Sequence, residues 1–374
     1  VAAQQHNPMT ASTRIQRLAP RRLVLIAVFL AISLSLSLLG PSPEPTQNLR
    51  PTPPTPAERT IETGLFVKNI YNLSLANRTF SADGWFWLLW PQTVQNILER
   101  NHIPITELAE LPNDAQGFRQ HLEPDTQEPE PQPDGRMLQA YRFSGTFYDE
   151  TLALRNFPFL RLDLPITIEA RPDQLSFAKE AIAIQNRQPT NNAVEHSLFL
   201  HGYEFQGVDV QRNIHFYPTS FGELDARGSG EYSQVTFNLK FRSNNWSAFN
   251  NFILPWTLVM ATLILAPSLD GQLFAQRLAI PPTALLTLVF LQQGAHEGLP
   301  MLGYLTYLDK LYLFGFIAST IQLGLFVWGS NLINRANTDQ RDGVNRRING
   351  IDRAYQLATI LGCLCILTLG LNRA

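Results

Sequence analysis

The stretch 277–300, RLAIPPTALLTLVFLQQGAHEGLP, is too polar for a helix surrounded by lipid and too apolar for a soluble loop. Six of its positions follow one another at steps of four and three, so on a helix they form one continuous face. These positions are Ala279, Thr283, Leu286, Phe290, Gln293 and Glu297. The flanking positions are almost wholly apolar and suit contact with neighbouring helices.

One such helix cannot enclose a space, but several copies around an axis can. The face would then provide a polar mouth at Gln293 and Glu297, a dry gate at Leu286 and Phe290, and a hydroxyl ring at Thr283. We therefore interpret the six residues as pore-lining. The face alone is equally compatible with an ordinary buried helix in a membrane bundle.

Pro281 and Pro282 interrupt this pattern near its start. Proline fits best in the first turn of a helix, where its missing N–H has no partner to lose. The regular helix is therefore expected to begin at these prolines, with Ala279 on irregular backbone before it.

The N-terminal region has the features of an export signal. Residues 10–22 contain four arginines and no acid, and 23–40 are continuously apolar or serine. This pattern predicts a signal peptide or an uncleaved anchor over 1–40, with the basic end in the cytosol. The proline-rich segment 41–60 is predicted to be an extended linker.

Short β-branched and aromatic runs alternate with turn residues across 61–245, which predicts an exported all-β, immunoglobulin-like sandwich. An acidic, proline-rich stretch at 123–134 is interpreted as a solvated loop, with divalent-cation binding as the alternative. The candidate strands are 64–75, 85–90, 137–147, 151–154, 165–170, 176–184, 197–205, 208–217 and 232–242.

The C-terminal part, 246–374, is predicted to be an α-helical four-helix transmembrane bundle, with helices at about 249–269, 278–297, 307–333 and 354–371. The segment 334–353 contains five arginines, whereas 294–309 contains no lysine or arginine. By the positive-inside rule, the arginine-rich segment lies in the cytosol, and Glu297, the β-domain and the C-terminus lie outside. Thr306 and Asp309 have the spacing of a capping box for the third helix.

Composition and motifs argue against several other functions. The formal net charge of −2 gives no indication of a nucleic-acid partner. Cys363 and Cys365 lie in an apolar segment and are interpreted as packing residues, with metal binding by the CxC pair as the alternative, and no metal site or cofactor is expected. No catalytic triad, phosphate loop or paired catalytic carboxylate is evident, and we do not expect an enzyme. His296, beside Glu297, is a candidate for a pH response or an effect on conductance, with an ordinary surface histidine as the alternative.

The order of these segments resembles that of the pentameric ligand-gated ion channels, the superfamily of the nicotinic and glycine receptors. The chain looks most like the prokaryotic members, which lack the disulfide-closed loop. Several motifs carry the resemblance over about 61–371. They are GLFVKNIYNLSLANRTFSADGWFWLLW at 64–90, LRNFPFLRLDLPITIE at 154–169, and SQVTFNLKFRS at 233–243, which contains Arg242. The others are ILP at 253–255 and the spacing from Arg277 through Leu286 and Glu297 to Pro300.

The resemblance implies a homopentamer in the inner or plasma membrane that conducts inorganic ions when a small molecule or a proton binds the β-domain. It implies an agonist site beneath the hairpin at 218–233, for which Phe177, Tyr217, Phe221 and Tyr232 are the candidates. It also implies a coupling region between the β-domain and the membrane helices. The candidates there are Asp83, expected in a membrane-facing turn, Phe157, Pro158, Phe159, Arg242 and Pro300.

Two departures from the family pattern concern coupling and selectivity. Leu160 replaces the family's aspartate after the Pro-Phe pair, so the usual ion pair to Arg242 cannot form from that position. Gln276 stands where cation channels place a glutamate, and the outer Glu297 is the feature that favours cations. The rival hypothesis is a non-conducting exported sensor or scaffold with the same architecture. A membrane enzyme is a third class, expected only if a polar cluster lies within the bundle.

Overall fold

The computed structural model describes residues 49–51, 60–102, 109–115, 122–170, 183–186, 193–219, 230–270, 273–337 and 340–371. The signal or anchor expected at 1–40 and most of the linker expected at 41–60 lie outside these residues. The described chain forms a β-sandwich of two sheets followed by four long apolar helices. The coarse fold expected from the sequence is confirmed.

The two sheets are antiparallel apart from one edge pair. The first sheet has the order β1 (Leu49–Pro51), β10 (Tyr203–Tyr217), β11 (Gly230–Ser243), β8 (Arg161–Ala170) and β4 (Ala109–Glu110). The second has the order β5 (Glu123–Pro124), β7 (Met137–Tyr148), β3 (Thr79–Trp90), β2 (Thr60–Ser74) and β9 (Ala183–Asn186), with β6 (Glu130–Pro131) also paired to β7. Only β2 and β9 run parallel among these pairs.

The sandwich core consists of side chains that alternate along each strand. On β8 the even-numbered residues from Leu162 to Ala170 face the core, and the odd-numbered ones from Arg161 to Glu169 face outward. Phenylalanines from both sheets fill the space between them, including Phe80, Phe147 and Phe237. This alternation explains why period-two patterning in the sequence located the long strands.

Several strand boundaries differ from the expected ones. Residues 151–154 form turns and irregular backbone, not a strand. Of the segment expected at 197–205, only 203–205 lie in a strand, and that strand, β10, continues through 208–217 with a bulge between Phe205 and Gly207. Gly207 adopts φ 144°, which favours glycine, and this permits the bulge without ending the strand. Helix α1 (Gln92–Asn101), which buries Val94 and Leu98, was not expected.

Four helices are long and apolar enough to cross a membrane, so the chain is that of a membrane-embedded protein. They are α2 (Asn245–Ser268), α3 (Phe274–His296), α4 (Tyr307–Asn334) and α5 (Arg341–Leu371). Helix α2 contains a π-helical turn at Phe249–Ile253 and ends in a 3₁₀ turn at Ala266–Ser268. Helix α3 packs between α2 and α4, and α4 packs against α5.

Helix α5 begins well before the predicted start at 354. Four of the arginines assigned to a cytosolic loop therefore lie on the first turns of this helix: Arg341, Arg346, Arg347 and Arg353. Arginine has a high helix propensity, so its charge does not end a helix. At α4 the capping box forms as expected, with the Thr306 hydroxyl accepting from the Asp309 N–H and the Asp309 carboxylate accepting from the Thr306 N–H.

Candidate functional site

Helix α3 has one packed face and one exposed face. Arg277, Pro281, Ala284, Leu288 and Ala295 are buried, and their spacing places them together on one side. On the opposite side, all six residues of the polar and apolar face predicted from the sequence are exposed in the single chain. Leu286 is 55% exposed and Phe290 63% exposed.

The composition of the exposed face combines polar and bulky apolar groups. Its C-terminal part contains Gln293 and Glu297, and its middle contains Leu286 and Phe290. The Thr283 hydroxyl donates to the Ala279 carbonyl at 2.8 Å, so its lone pairs remain available to accept from water. None of these side chains packs against the other helices of its own chain in a way that buries it.

The two prolines do not mark the start of the helix, and that expectation is wrong. Helix α3 begins at Phe274, and Pro281 and Pro282 lie inside it, so Ala279 is on helical backbone. Proline has no N–H, and the carbonyls of Arg277 and Leu278 therefore have no donor four residues further on. Pro281 is buried and Pro282 is exposed, so the helix continues through one proline on its packed face and one outside it.

The N-terminal part of α3 is tied to α4 and α5 by Arg277. Its guanidinium donates to Asp352 on α5 and lies over the Phe326 ring on α4, 4.3 Å from the ring centroid. Both side chains of the ion pair are buried, and the Arg277 Nε–H has no hydrogen-bond partner. An intramembrane ion pair of this kind is expected to have a positional or functional role.

The C-terminal end of α3 meets the cap of α4. His296 Nε2 lies 2.6 Å from Asp309 Oδ1, and Gln292 Nε2 donates to the same oxygen at 3.4 Å. The other oxygen of Asp309 accepts from Thr306. His296 is therefore not an isolated surface histidine, since it links the end of α3 to the start of α4.

The segment 149–160 of the β-sandwich docks directly on the membrane helices. Phe157 packs edge-on against Phe252 of α2 with ring centroids 4.9 Å apart, and Phe159 lies 6.1 Å from Tyr307 of α4. The carbonyls of Arg155 and Phe157 accept from the backbone N–H groups of Tyr307 and Leu308. Pro158, between the two phenylalanines, is buried as well.

A second contact joins this segment to the connection between α3 and α4. The Leu154 N–H donates to the Tyr304 hydroxyl at 3.3 Å, and the Arg155 guanidinium lies over the Tyr304 ring. Tyr304 was not among the predicted coupling residues. Its position four residues after Pro300, in the connection between α3 and α4, is the sequence signal that could have identified it. Pro300 itself is partly exposed directly after α3.

One of the predicted coupling residues, Asp83, lies elsewhere, whereas Arg242 directly precedes the first membrane helix as expected. The turn between β2 and β3 is at 75–78, and Asp83 lies inside β3, where its carboxylate accepts from Asn69 at 3.0 and 3.3 Å. The expectation that Asp83 occupies the membrane-facing turn is therefore wrong. Arg242 is exposed at the end of β11, in register with Glu204 and Arg161.

The outer face of the first sheet holds the candidate ligand site. Tyr217 of β10 and Tyr232 of β11 meet edge to face with ring centroids 5.1 Å apart, and His215 stacks on Tyr217 at 4.2 Å. Glu169, at the end of β8, lies beside them and is only 1% exposed. Phe177 and Phe221, the other predicted ligand residues, lie outside the described residues.

A hydrogen-bond network holds this cluster together. The Glu169 carboxylate accepts from the Tyr217 hydroxyl at 3.3 Å and from the Gln234 amide, which also donates to His215 Nδ1 at 3.0 Å. Burial and the neighbouring Glu169 raise the pKa of Tyr217, so it remains a neutral phenol. Burial lowers the pKa of His215 from its ordinary value of 6.5.

Sequence reasoning missed Glu169, Gln234 and His215 as members of this cluster. They come from three strands, and only the register between β8, β10 and β11 places Glu169 opposite Gln234. Among the described residues, no group of three or more His, Cys, Asp or Glu side chains could hold a metal ion. Within the described bundle, Cys363 is buried and Cys365 is partly exposed.

Neither a protein-family model nor a curated protein sequence matches this chain.

Proposed function

We propose that the chain is one subunit of a ligand-gated ion channel, in which five copies surround an axis and α3 lines the central pore. The observation that carries this proposal is the division of α3 into a packed face and an opposite, exposed face that contains Thr283, Gln293 and Glu297. A channel subunit needs such a face, because its pore-lining side is covered only by water.

The physical reason is the cost of exposing polar groups to hydrocarbon. An amide or a carboxylate without a partner is strongly disfavoured in lipid. A ring of identical helices removes this cost, since the face then looks into a shared aqueous lumen. In that ring Leu286 and Phe290 would form an apolar constriction that closes by dewetting, and Glu297 would attract cations at the outer mouth.

The ligand would bind on the outer face of the first sheet, in what we propose is an immunoglobulin-like extracellular domain. Tyr217 and Tyr232 supply aromatic surfaces and Glu169 supplies a buried carboxyl group. An ammonium group is the chemistry that such a combination would recognise. The described geometry thus supports a small cationic agonist over an anionic one.

Binding would reach the pore through the segment 149–160. Its contacts with Phe252, Tyr304 and Tyr307 touch α2, the α3–α4 connection and α4. A ligand that favours one arrangement of the sandwich would thereby favour one tilt of α3, as a shift between two states. The sandwich would lie outside the inner or plasma membrane and the arginine-rich start of α5 in the cytosol.

The decisive experiment is to measure resting current through Leu286→Ala in planar bilayers or injected oocytes. Loss of the apolar side chain should wet the gate and raise resting current relative to wild type. Leu258→Ala on α2 is the matched control, because Leu258 is a similarly exposed leucine that does not lie on α3. It should leave the resting current unchanged.

The rival hypothesis of a non-conducting sensor or scaffold would be favoured if neither wild type nor Leu286→Ala gave a current. Both proteins would be tested with small ammonium compounds and at low pH. If current appears, Glu297→Gln should lower the cation-to-anion permeability ratio. Glu169→Gln should weaken the response to a cationic agonist while leaving the resting current of Leu286→Ala intact, which separates the ligand site from the pore.

A further inference from the structure

We propose that a cleft between α3, α4 and α5 binds the phosphate of an anionic membrane phospholipid. Side chains from all three helices line the cleft, among them Phe274, Arg277 and Leu278 on α3, Phe326 and Ser330 on α4, and Ile348 on α5. The cleft lies within one chain, so the proposal does not depend on the assembly of five copies around a pore.

The size and lining of the cleft suit part of a lipid and not a whole one. Its volume is about 250 Å³, which includes the space at its open side. Most of the lining is apolar, and its polar side chains are those of Arg277 and Ser330. Apolar walls with a few hydrogen-bond donors are typical of small-molecule sites. They suit the glycerol phosphate of a lipid, where carbon atoms adjoin phosphate oxygens.

The Arg277 guanidinium has an unused donor at this cleft. One of its terminal nitrogens donates to Asp352 and its face lies over the Phe326 ring, but the Nε–H is buried and has no partner. A buried donor without a hydrogen bond costs free energy, and a phosphate oxygen would remove that cost. Arginine binds phosphate through adjacent N–H groups, so the pair with Asp352 leaves a donor suited to this acceptor.

The position of the cleft along the helices matches the headgroup level of a membrane. The cleft involves the first residues of α3 and the last turns of α4. Trp328, which lies two residues before Ser330, is 39% exposed. Tryptophan is enriched where the membrane meets water. A phosphate at this depth is therefore expected to come from a lipid.

The charges around the cleft favour a headgroup with a net negative charge. The Arg347 guanidinium lies 5.9 Å from the centroid of the Trp328 ring, and Arg347 directly precedes Ile348. Between 341 and 353, α5 has four arginines and two aspartates, and one of these aspartates, Asp352, is paired with Arg277. Basic groups near a bilayer surface attract anionic lipids. We therefore expect phosphatidylglycerol to bind more tightly than phosphatidylcholine, although both carry a phosphate.

The test measures lipid retention by native mass spectrometry of the full chain, purified with equal amounts of phosphatidylglycerol and phosphatidylcholine. Wild type should retain phosphatidylglycerol preferentially. Ser330→Phe fills the cleft without removing a charge and should weaken this retention about tenfold, the effect of one charge-assisted hydrogen bond. Thr320→Phe is the matched control, because Thr320 is exposed on the same helix about 15 Å before Ser330. It should behave as wild type.

A second variant removes the donor instead of the space. Arg277→Met combined with Asp352→Leu leaves no charge of the pair buried and retains every arginine of α5. It should lose the preference for phosphatidylglycerol, as Ser330→Phe does. Equal retention of the two lipids by wild type would overturn the proposal. Retention at the wild-type level by either cleft variant would also overturn it, because the exposed arginines alone would then account for binding.

Discussion

Arg277 on α3 and Asp352 on α5 form a buried ion pair that joins the candidate pore helix to the last helix of the chain. Their side chains are 4% and 5% exposed, and Phe326 of α4 covers the guanidinium. Three helices are therefore held together at one end of the bundle. The exposed face of α3 is on the opposite side of that helix, so the pair fixes its orientation.

Removing one partner of this pair should destabilise the bundle strongly. Asp352→Asn leaves a buried guanidinium without a counter-charge, and the expected loss is about 3–5 kcal/mol. The double variant Arg277→Met, Asp352→Leu should recover much of this loss, because neither charge then remains buried. Thermal unfolding of the protein in nanodiscs measures both effects.

A suitable control is Arg347→Gln. Arg347 also lies over an aromatic ring, that of Trp328 at 5.9 Å, but it is exposed and its interaction is screened by solvent. We expect a change within measurement error. Equal destabilisation by Asp352→Asn and Arg347→Gln would contradict the assigned role of the buried pair.

The contact between Leu154 and Tyr304 gives a prediction for coupling. Tyr304→Phe removes the hydroxyl that accepts from the Leu154 N–H but retains the ring beneath Arg155. Weaker transmission should raise the agonist concentration for half-maximal current by about three- to tenfold, the range of one hydrogen bond. Dose–response currents test this shift.

Tyr71→Phe is the matched control for Tyr304→Phe, since Tyr71 is an exposed tyrosine of β2. Agonist binding measured directly on the sandwich should be similar in both variants. A shift in binding as large as the shift in current would place the effect at the ligand site and not at the docking segment.

The sequence was sufficient to predict the architecture, because the period-two pattern of the strands and the long apolar runs of the membrane helices were both strong. Period-two runs such as β8 and apolar segments such as α4 follow from burial alone, and the Thr306–Asp309 cap depends only on local spacing. The face of α3 was also readable, because residues three and four apart on a helix must share a side.

The errors arose where long-range packing decides the structure. Local rules place Pro281 at a helix start, but α3 begins at Phe274 and Pro281 is buried inside it. The turn between β2 and β3 is at 75–78, and strand pairing places Asp83 opposite Asn69 instead of in that turn. The cluster around Glu169 depends on cross-strand register, which no single stretch of sequence contains.

His215 predicts an acid sensitivity of the ligand site. Its folded pKa is lower than 6.5, chiefly because burial disfavours the charged ring, and its Nδ1 accepts from Gln234. The contribution of His215 to the free energy of unfolding is therefore complete above pH 6.5 and is lost as pH falls through the lowered pKa. Agonist affinity should fall over the same range, and His215→Gln should flatten that dependence in binding measured against pH.

Asp149 predicts the opposite sign at the other end of the sandwich. It begins the docking segment and is buried, and burial raises the pKa of its carboxyl above the ordinary 3.8 despite bonds from Thr151. The fold therefore favours the protonated acid. Its stabilisation is complete below pH 3.8 and is lost as pH rises through the raised pKa.

Asp149→Asn mimics the protonated form and should remove this dependence, so the variant should exceed wild type in stability at neutral pH. Unfolding of the protein in nanodiscs, followed from acid to neutral pH, measures the difference. Asp125→Asn in an exposed loop is the control and should track wild type. If Asp149→Asn instead lowers stability equally at all pH values, its carboxylate acts through the hydrogen bonds to Thr151 and not through its proton.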